Sequence, residues 1–219
     1  MKKQQYSTSY VILCAMFTAI AFVMVLISKV IPNVAGFLSY EPKDAIIVIA
    51  GFILGPMSCV YVSLLTSLIE MLTISTTGPY GFLMNVVSTC AFTLPAAVFY
   101  QRRHTQKGAI IGLSLGVAIM AVCMVLWNYI ITPFYMGVDR KVVAGMLTSV
   151  FLPFNTVKGG LNAAITLLIY KPVVNALRRA GLVSESKGHK SSCRPGFLLA
   201  SLAVFVTFVL LLLAMIGVI

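Results

Sequence analysis

Long apolar runs separated by short polar segments dominate this chain. The runs lie at about 9–30, 45–73, 82–100, 108–132, 146–170 and 197–218. A helix needs about 20 apolar residues to cross a bilayer, and each run supplies roughly that many or more. The second run is too long for one crossing and is interrupted at Gly55-Pro56. Proline lacks a backbone donor and disfavours helix at the residue before it, so the pattern predicts two helices, 45–54 and 57–73, joined by a tight turn. The first of these is unusually short. The predicted architecture is all-α and polytopic, a compact six-helix transmembrane bundle over 1–180. A polar linker (181–196) then leads to one additional C-terminal transmembrane helix (197–219).

Composition agrees, since 60% of the residues are hydrophobic and only 10% are charged, against about 25% charged in a soluble domain. The formal net charge of +11 might suggest nucleic acid, but the basic residues cluster between the apolar runs, which is the positive-inside pattern. Lys2 and Lys3, then Arg102, Arg103 and Lys107, then Lys171, Arg178, Arg179, Lys187, Lys190 and Arg194 occupy alternate segments. With seven crossings they all fall on the cytoplasmic side, together with the amino terminus. The first run is too long for a signal-peptide core and has no clear cleavage site, so it reads as a retained helix. The location expected is the cell membrane.

Little conventional chemistry is present. Cys14, Cys59, Cys90, Cys123 and Cys193 form no CxxC pair, and His104 and His189 fall in polar loops away from any ligand spacing. There is no Walker A loop, HExxH or GxSxG motif. No cofactor, metal or catalytic residue is expected.

The informative positions are polar residues that a membrane makes costly. Lys158 lies about 12 residues into its run, with Asn155 at i−3 and Asn162 at i+4 on the same helix face. Gly159 and Gly160 beside them permit close approach by a backbone or a ligand, near a helix start at Pro153. A structural Lys158 paired with Glu70 or a carbonyl is the alternative. Asn128, within Trp127-Asn128-Tyr129, and Asn85 lie at the outer ends of their spans. Trp127 and Tyr129 fit an interfacial belt, whereas Asn85 fits a cap or an interhelical bond equally well. The outer loop PNVAGFLSYEPKDA gathers Tyr40, Glu41, Lys43 and Asp44, with Asp44 a candidate N-cap for the short helix. Together these elements describe an outer pocket, apolar below and rich in amides above. Ala15-x-x-x-Ala19 and Gly112-x-x-x-Gly116 are small-residue faces, suited either to packing within the bundle or to docking a partner helix.

The stretches AMFTAIAFVM (15–24), FLSYEPKDAIIVIAGFILGP (37–56), WNYIITPFYMGV (127–138) and LPFNTVKGGLNAAITLLIYK (152–171) resemble the substrate-binding S components of energy-coupling factor (ECF) vitamin transporters. The riboflavin-specific type is the most similar, over residues 8–175. The resemblance implies a six-helix protein that captures a vitamin from outside and delivers it through a transmembrane ECF subunit driven by two ATPase subunits. It implies that Asn128, Asn155 and Lys158 hydrogen-bond the polar edge of a flavin; Asn85 and Asn162 are expected in the same site from their own places among the costly polar groups. The loop 37–44, with Leu38, Tyr40 and Glu41, would form a lid, and Ala15 and Ala19 would dock on the partner. Riboflavin would be transported ligand, not cofactor. The loop reads YEPKD where the family suggests Asp beside the proline, and the last helix lies outside the usual six. Another vitamin or precursor, such as pantothenate, is the alternative ligand, and a small intramembrane enzyme the alternative class. The last helix, apolar all round, is expected to lack an obligatory packing face and to be dispensable for binding.

Overall fold

A computed structural model describes residues 8–180 and 195–218. The amino-terminal lysines and most of the linker, with Lys187, His189, Lys190, Cys193 and Arg194, lie outside the described residues. The elements are α1 (Thr8–Ser28), α2 (Lys43–Leu54), α3 (Pro56–Thr73), α4 (Gly78–Arg103), α5 (Gln106–Met136), α6 (Arg140–Met146), α7 (Leu152–Arg179) and α8 (Pro195–Ile216). Six helical stretches are long and apolar enough to cross a membrane, with α6 and α7 counted as one. With 12 residues, α2 is about 18 Å long at 1.5 Å per residue. It survives at that length because every residue from Lys43 to Phe52 is buried, so no part of it needs to match the thickness of lipid.

The predicted break at Gly55-Pro56 is where α2 and α3 meet. Gly55 adopts φ +104°, a conformation closed to residues with a side chain, and Pro56 opens α3, where a missing N–H costs nothing. The ends of α1 and α3 lie together, since Lys29 Nζ is 3.4 Å from Glu70 Oε1. The two helices therefore run parallel, and the segment 29–42 with α2 carries the chain back between them.

Two expectations about local structure are corrected. The helix does not start at Pro153. The chain is helical from Arg140, with a π-helical turn at Leu147–Phe151 directly before Pro153; a widened turn accommodates a proline that can neither donate to nor fit against the preceding turn. Of the two readings of Gly159 and Gly160, close approach by a helix is the one observed. A Cβ on Gly159 would stand 2.9 Å from Met120 Cε of α5, and one on Gly160 would overlap the Phe208 ring of α8. Thus α8 does have a packing face, and it is laid against α7.

The Gly112/Gly116 stripe is internal: its backbone presses on the carbonyls of Ala96 and Phe92 in α4. Ala15 and Ala19, by contrast, are exposed on α1. The described cysteines are free, and no group of three metal-ligating side chains occurs among the described residues.

The close α4–α5 approach yields a test. Gly116→Leu should lower stability by about 1–3 kcal/mol, the cost of overpacking a fitted contact, seen as a lower midpoint of thermal unfolding in detergent. Gly145→Ala, where an added Cβ meets nothing within 4 Å, should leave the midpoint unchanged or raise it. An unaltered midpoint for Gly116→Leu would contradict the packing described.

Candidate ligand-binding site

Six charged groups converge where α1 ends, α2 begins, α3 ends and α7 begins. Lys43, fully buried, stands 2.8 Å from Glu41 Oε2 and 2.9 Å from Glu70 Oε2. Lys29, the first residue past α1, reaches Glu70, and Asn85 of α4 donates to Glu70 Oε2 at 3.1 Å. Lys158 is 3.8 Å from Glu41 Oε2 and 3.9 Å from Asp44 Oδ2. Asp44 Oδ1 accepts from the Thr89 hydroxyl at 2.7 Å. Three ammonium groups face three carboxylates, so the cluster carries no net charge. Each carboxylate has a cationic partner, without which its burial would cost several kcal/mol.

The segment before α2 is held by side chains from other elements. Asn162 donates to the Glu41 carbonyl at 3.1 Å and accepts from Ala45 N–H at 3.3 Å. This corrects the expected N-cap: α2 begins two residues earlier, at Lys43, with Pro42 at the cap position and no side-chain cap of its own. Asp44 is therefore inside the first turn, free to reach across to α4, and Asn162 serves the exposed N–H in its place. Asn162 is wholly buried and staples the chain beneath the site rather than lining it.

Above the charge cluster lies a cavity of ≈ 210 Å³. Of the residues singled out in the sequence, Leu38, Glu41, Asn85, Asn128, Asn155 and Lys158 all line it. Tyr40 does not; it is buried in an apolar cluster behind the loop. Asn128 and Asn155 each donate to their own helix, to the carbonyls of Met124 (2.7 Å) and Phe151 (2.8 Å). Each amide therefore retains hydrogen-bonding capacity directed elsewhere. The Phe151 carbonyl belongs to the π-helical turn, so that irregularity orients Asn155. Met84, Met124, Phe37 and Phe154 supply apolar wall. No residue of α8 lines the cavity.

Lys43 and Glu70 were missed as site residues, and Lys158 pairs with Glu41 and Asp44 rather than Glu70. The sequence signal was available: Glu41, Lys43 and Asp44 are crowded before an apolar helix, opposite a lysine and a glutamate within spans. Charges placed there have no water to face and must find one another.

The opposite end of the bundle is closed. Phe52 stacks on Tyr100 with ring centroids 4.2 Å apart, the Tyr100 and Tyr170 hydroxyls are hydrogen-bonded, and Gln101 donates to the Phe52 carbonyl at 3.1 Å. Arg102, Arg103, Lys107, Lys171 and Arg179 belong to this end.

Residues 9–170 match the family described as ECF transporter, substrate-specific component. The chain is 28% identical over 174 residues to the riboflavin transporter RibU of Staphylococcus aureus (strain TCH60), covering 75% of this chain and 90% of that protein. It is 27% identical over 186 residues to the riboflavin transporter FmnP of Bacillus subtilis (strain 168), covering 77% and 95%. Against RibU of Streptococcus thermophilus (strain ATCC BAA-250 / LMG 18311) the figures are 30% over 173 residues, 74% and 82%. A solved structure of the S component of a bacterial ECF transporter superposes with a TM-score of 0.66 at 28% identity, covering 78% of this chain and 98% of that one.

The ionic cluster predicts a pH-dependent effect. Burial pushes the Glu41 carboxyl up, but the Lys43 and Lys158 ammonium groups push it down harder, to about 2. A carboxyl lowered on folding contributes stability that is present above its ordinary value of 4.5 and is lost as pH falls through about 2. Lys43→Met should cost about 3–5 kcal/mol at neutral pH, the penalty for stranding a buried charge. That deficit should shrink between pH 7 and pH 5, because burial then raises the Glu41 carboxyl and protonation relieves it. Unfolding curves showing an equal deficit at both pH values would assign the loss to packing alone.

Proposed function

We infer the function of this chain from one premise: it belongs to the family of ECF transporter substrate-specific components. It is a multi-pass membrane protein and a transporter subunit, not an enzyme. We propose that its ligand is riboflavin, which it captures in the cavity above the charge cluster. The observation that carries the proposal is the convergence of Asn128, Asn155 and Lys158, all buried, on that one cavity.

A flavin has an imide edge that needs both donors and acceptors, an apolar ring end, and a chain of hydroxyls. Amides meet the first requirement from either side, and Lys158 adds a donor whose protons are not consumed by its distant carboxylate partners. Phe37, Met84, Met124 and Phe154 suit the ring, while Ser75, Thr76, Thr77 and Ser88 suit hydroxyls. An uncharged vitamin matches a wall whose charges already cancel. The relatives named for riboflavin transport support the same choice.

Placing the basic end of the bundle in the cytoplasm, by the positive-inside rule, puts the cavity outside and the amino terminus inside. A substrate-specific component needs the rest of its transporter for delivery, and we propose a transmembrane ECF subunit and two ATPase subunits. The exposed Ala15 and Ala19 on α1 are the docking face, because small residues allow a partner helix to approach closely in lipid.

Lys158→Ala and Asn155→Ala should each weaken riboflavin binding by about 1–3 kcal/mol, measured by quenching of flavin fluorescence. Unchanged affinity in both folded variants would sink the assignment. Ala19→Arg should abolish cellular uptake while leaving binding by the isolated subunit intact. Loss of binding as well would make that face part of the bundle.

A further inference from the structure

The family match ends at residue 170, before α8 begins, so the role of α8 has to come from its contacts. One apolar cluster joins Val34 and Tyr40 of the loop to Phe154, Val157 and Leu161 of α7 and to Leu212 of α8. Phe205, Phe208, Val209, Met215 and Ile216 complete the α8 side, recurring every three or four residues along one face. Phe208 rests on Gly160, where any side chain would displace it, which fixes how α8 lies along α7. The final turns of α8 are thereby brought behind the 31–40 loop.

The same loop contributes Asn33, Gly36, Phe37, Leu38 and Ser39 to the cavity wall. Leu38 belongs to both surfaces. The loop is thus sandwiched, with the cavity on one side and α8 on the other. Its internal bonds are local: Val34 N–H to Leu38 O (2.8 Å), Leu38 N–H to Val34 O (3.0 Å), Phe37 N–H to Val34 O (3.3 Å) and the Ser39 hydroxyl to Asn33 Oδ1 (2.9 Å), all within residues 33–39. Apolar backing from α8 therefore has a large influence on whether it stays closed.

We propose that α8 is a brace for this loop: it holds the lid shut over the ligand cavity and slows its opening, while contributing nothing to ligand recognition. The proposal rests on the reading that the cavity is the riboflavin site. Because α8 meets no part of the cavity lining, its contact does not depend on a ligand and favours the closed form in both states. Weakening it speeds entry and release together and leaves the equilibrium constant nearly unchanged.

The test compares two leucines in the full-length protein, Leu212, buried in the cluster that α8 and α7 share with the loop, and Leu211, 45% exposed. Stopped-flow riboflavin fluorescence should show association and dissociation both faster by about tenfold in Leu212→Ala, as for truncating a packed leucine that a transition must unpack. The dissociation constant should stay within about twofold, and Leu211→Ala should match the parent. Hydrogen exchange at the Leu38 amide should also be faster in Leu212→Ala with no ligand present. Unchanged rates, equal effects of the two substitutions, or a rise in dissociation alone would each overturn the brace. Should the parent not quench riboflavin at all, the ligand reading is what has failed. The exchange rate then decides the brace independently: faster exchange in Leu212→Ala upholds it, and parental exchange overturns it.

Discussion

Charges taken out of water must be paired, and most of this site follows from that requirement. Lys43 bridges Glu41 on the loop and Glu70 on α3, tying the covering segment to the bundle at its foot. Lys158 closes the cluster from α7, and Asn85 joins it from α4. Such a cluster is a poor source of stability, since well-packed apolar residues often do as well or better. Its consequence is geometric. Side chains from α2, α3, α4, α7 and the segment between α1 and α2 are held around one point, and Lys29, Glu41, Glu70 and Lys158 form part of the cavity wall.

Much of the fold was legible because membrane helices announce themselves by length and hydropathy. The break at Gly55-Pro56 was readable from proline chemistry alone, and the shortness of α2 followed from it. The π-helical turn before Pro153 was not, because widening a turn leaves no periodic signature over five residues. Gly159 and Gly160 were legible as points of close approach, but glycine does not say what comes close, and the choice between a helix and a ligand waited for Met120 and Phe208.

The site was legible in part for a related reason. Asn128, Asn155 and Lys158 stand out as costly groups within apolar runs, and all three line the cavity. Asn162 looks identical on the helix face yet acts as a remote cap for α2, a role fixed only when two distant segments meet. Tyr40 belongs to the loop as expected but points its bulk into the apolar cluster with α8. Period and composition place a residue on an element; the tertiary partner decides which side of the loop it serves. The last helix shows the same limit, because a uniformly apolar sequence conceals which of its faces is buried.

Uptake of a neutral flavin by a charge-balanced, amide-lined cavity is the proposal on which the functional reading stands. Its most direct test is titration of riboflavin into the purified full-length protein, following flavin fluorescence. Quenching should saturate at one riboflavin per chain, as the ring leaves water for the apolar wall. Folded protein that leaves the fluorescence unchanged throughout the titration would contradict it.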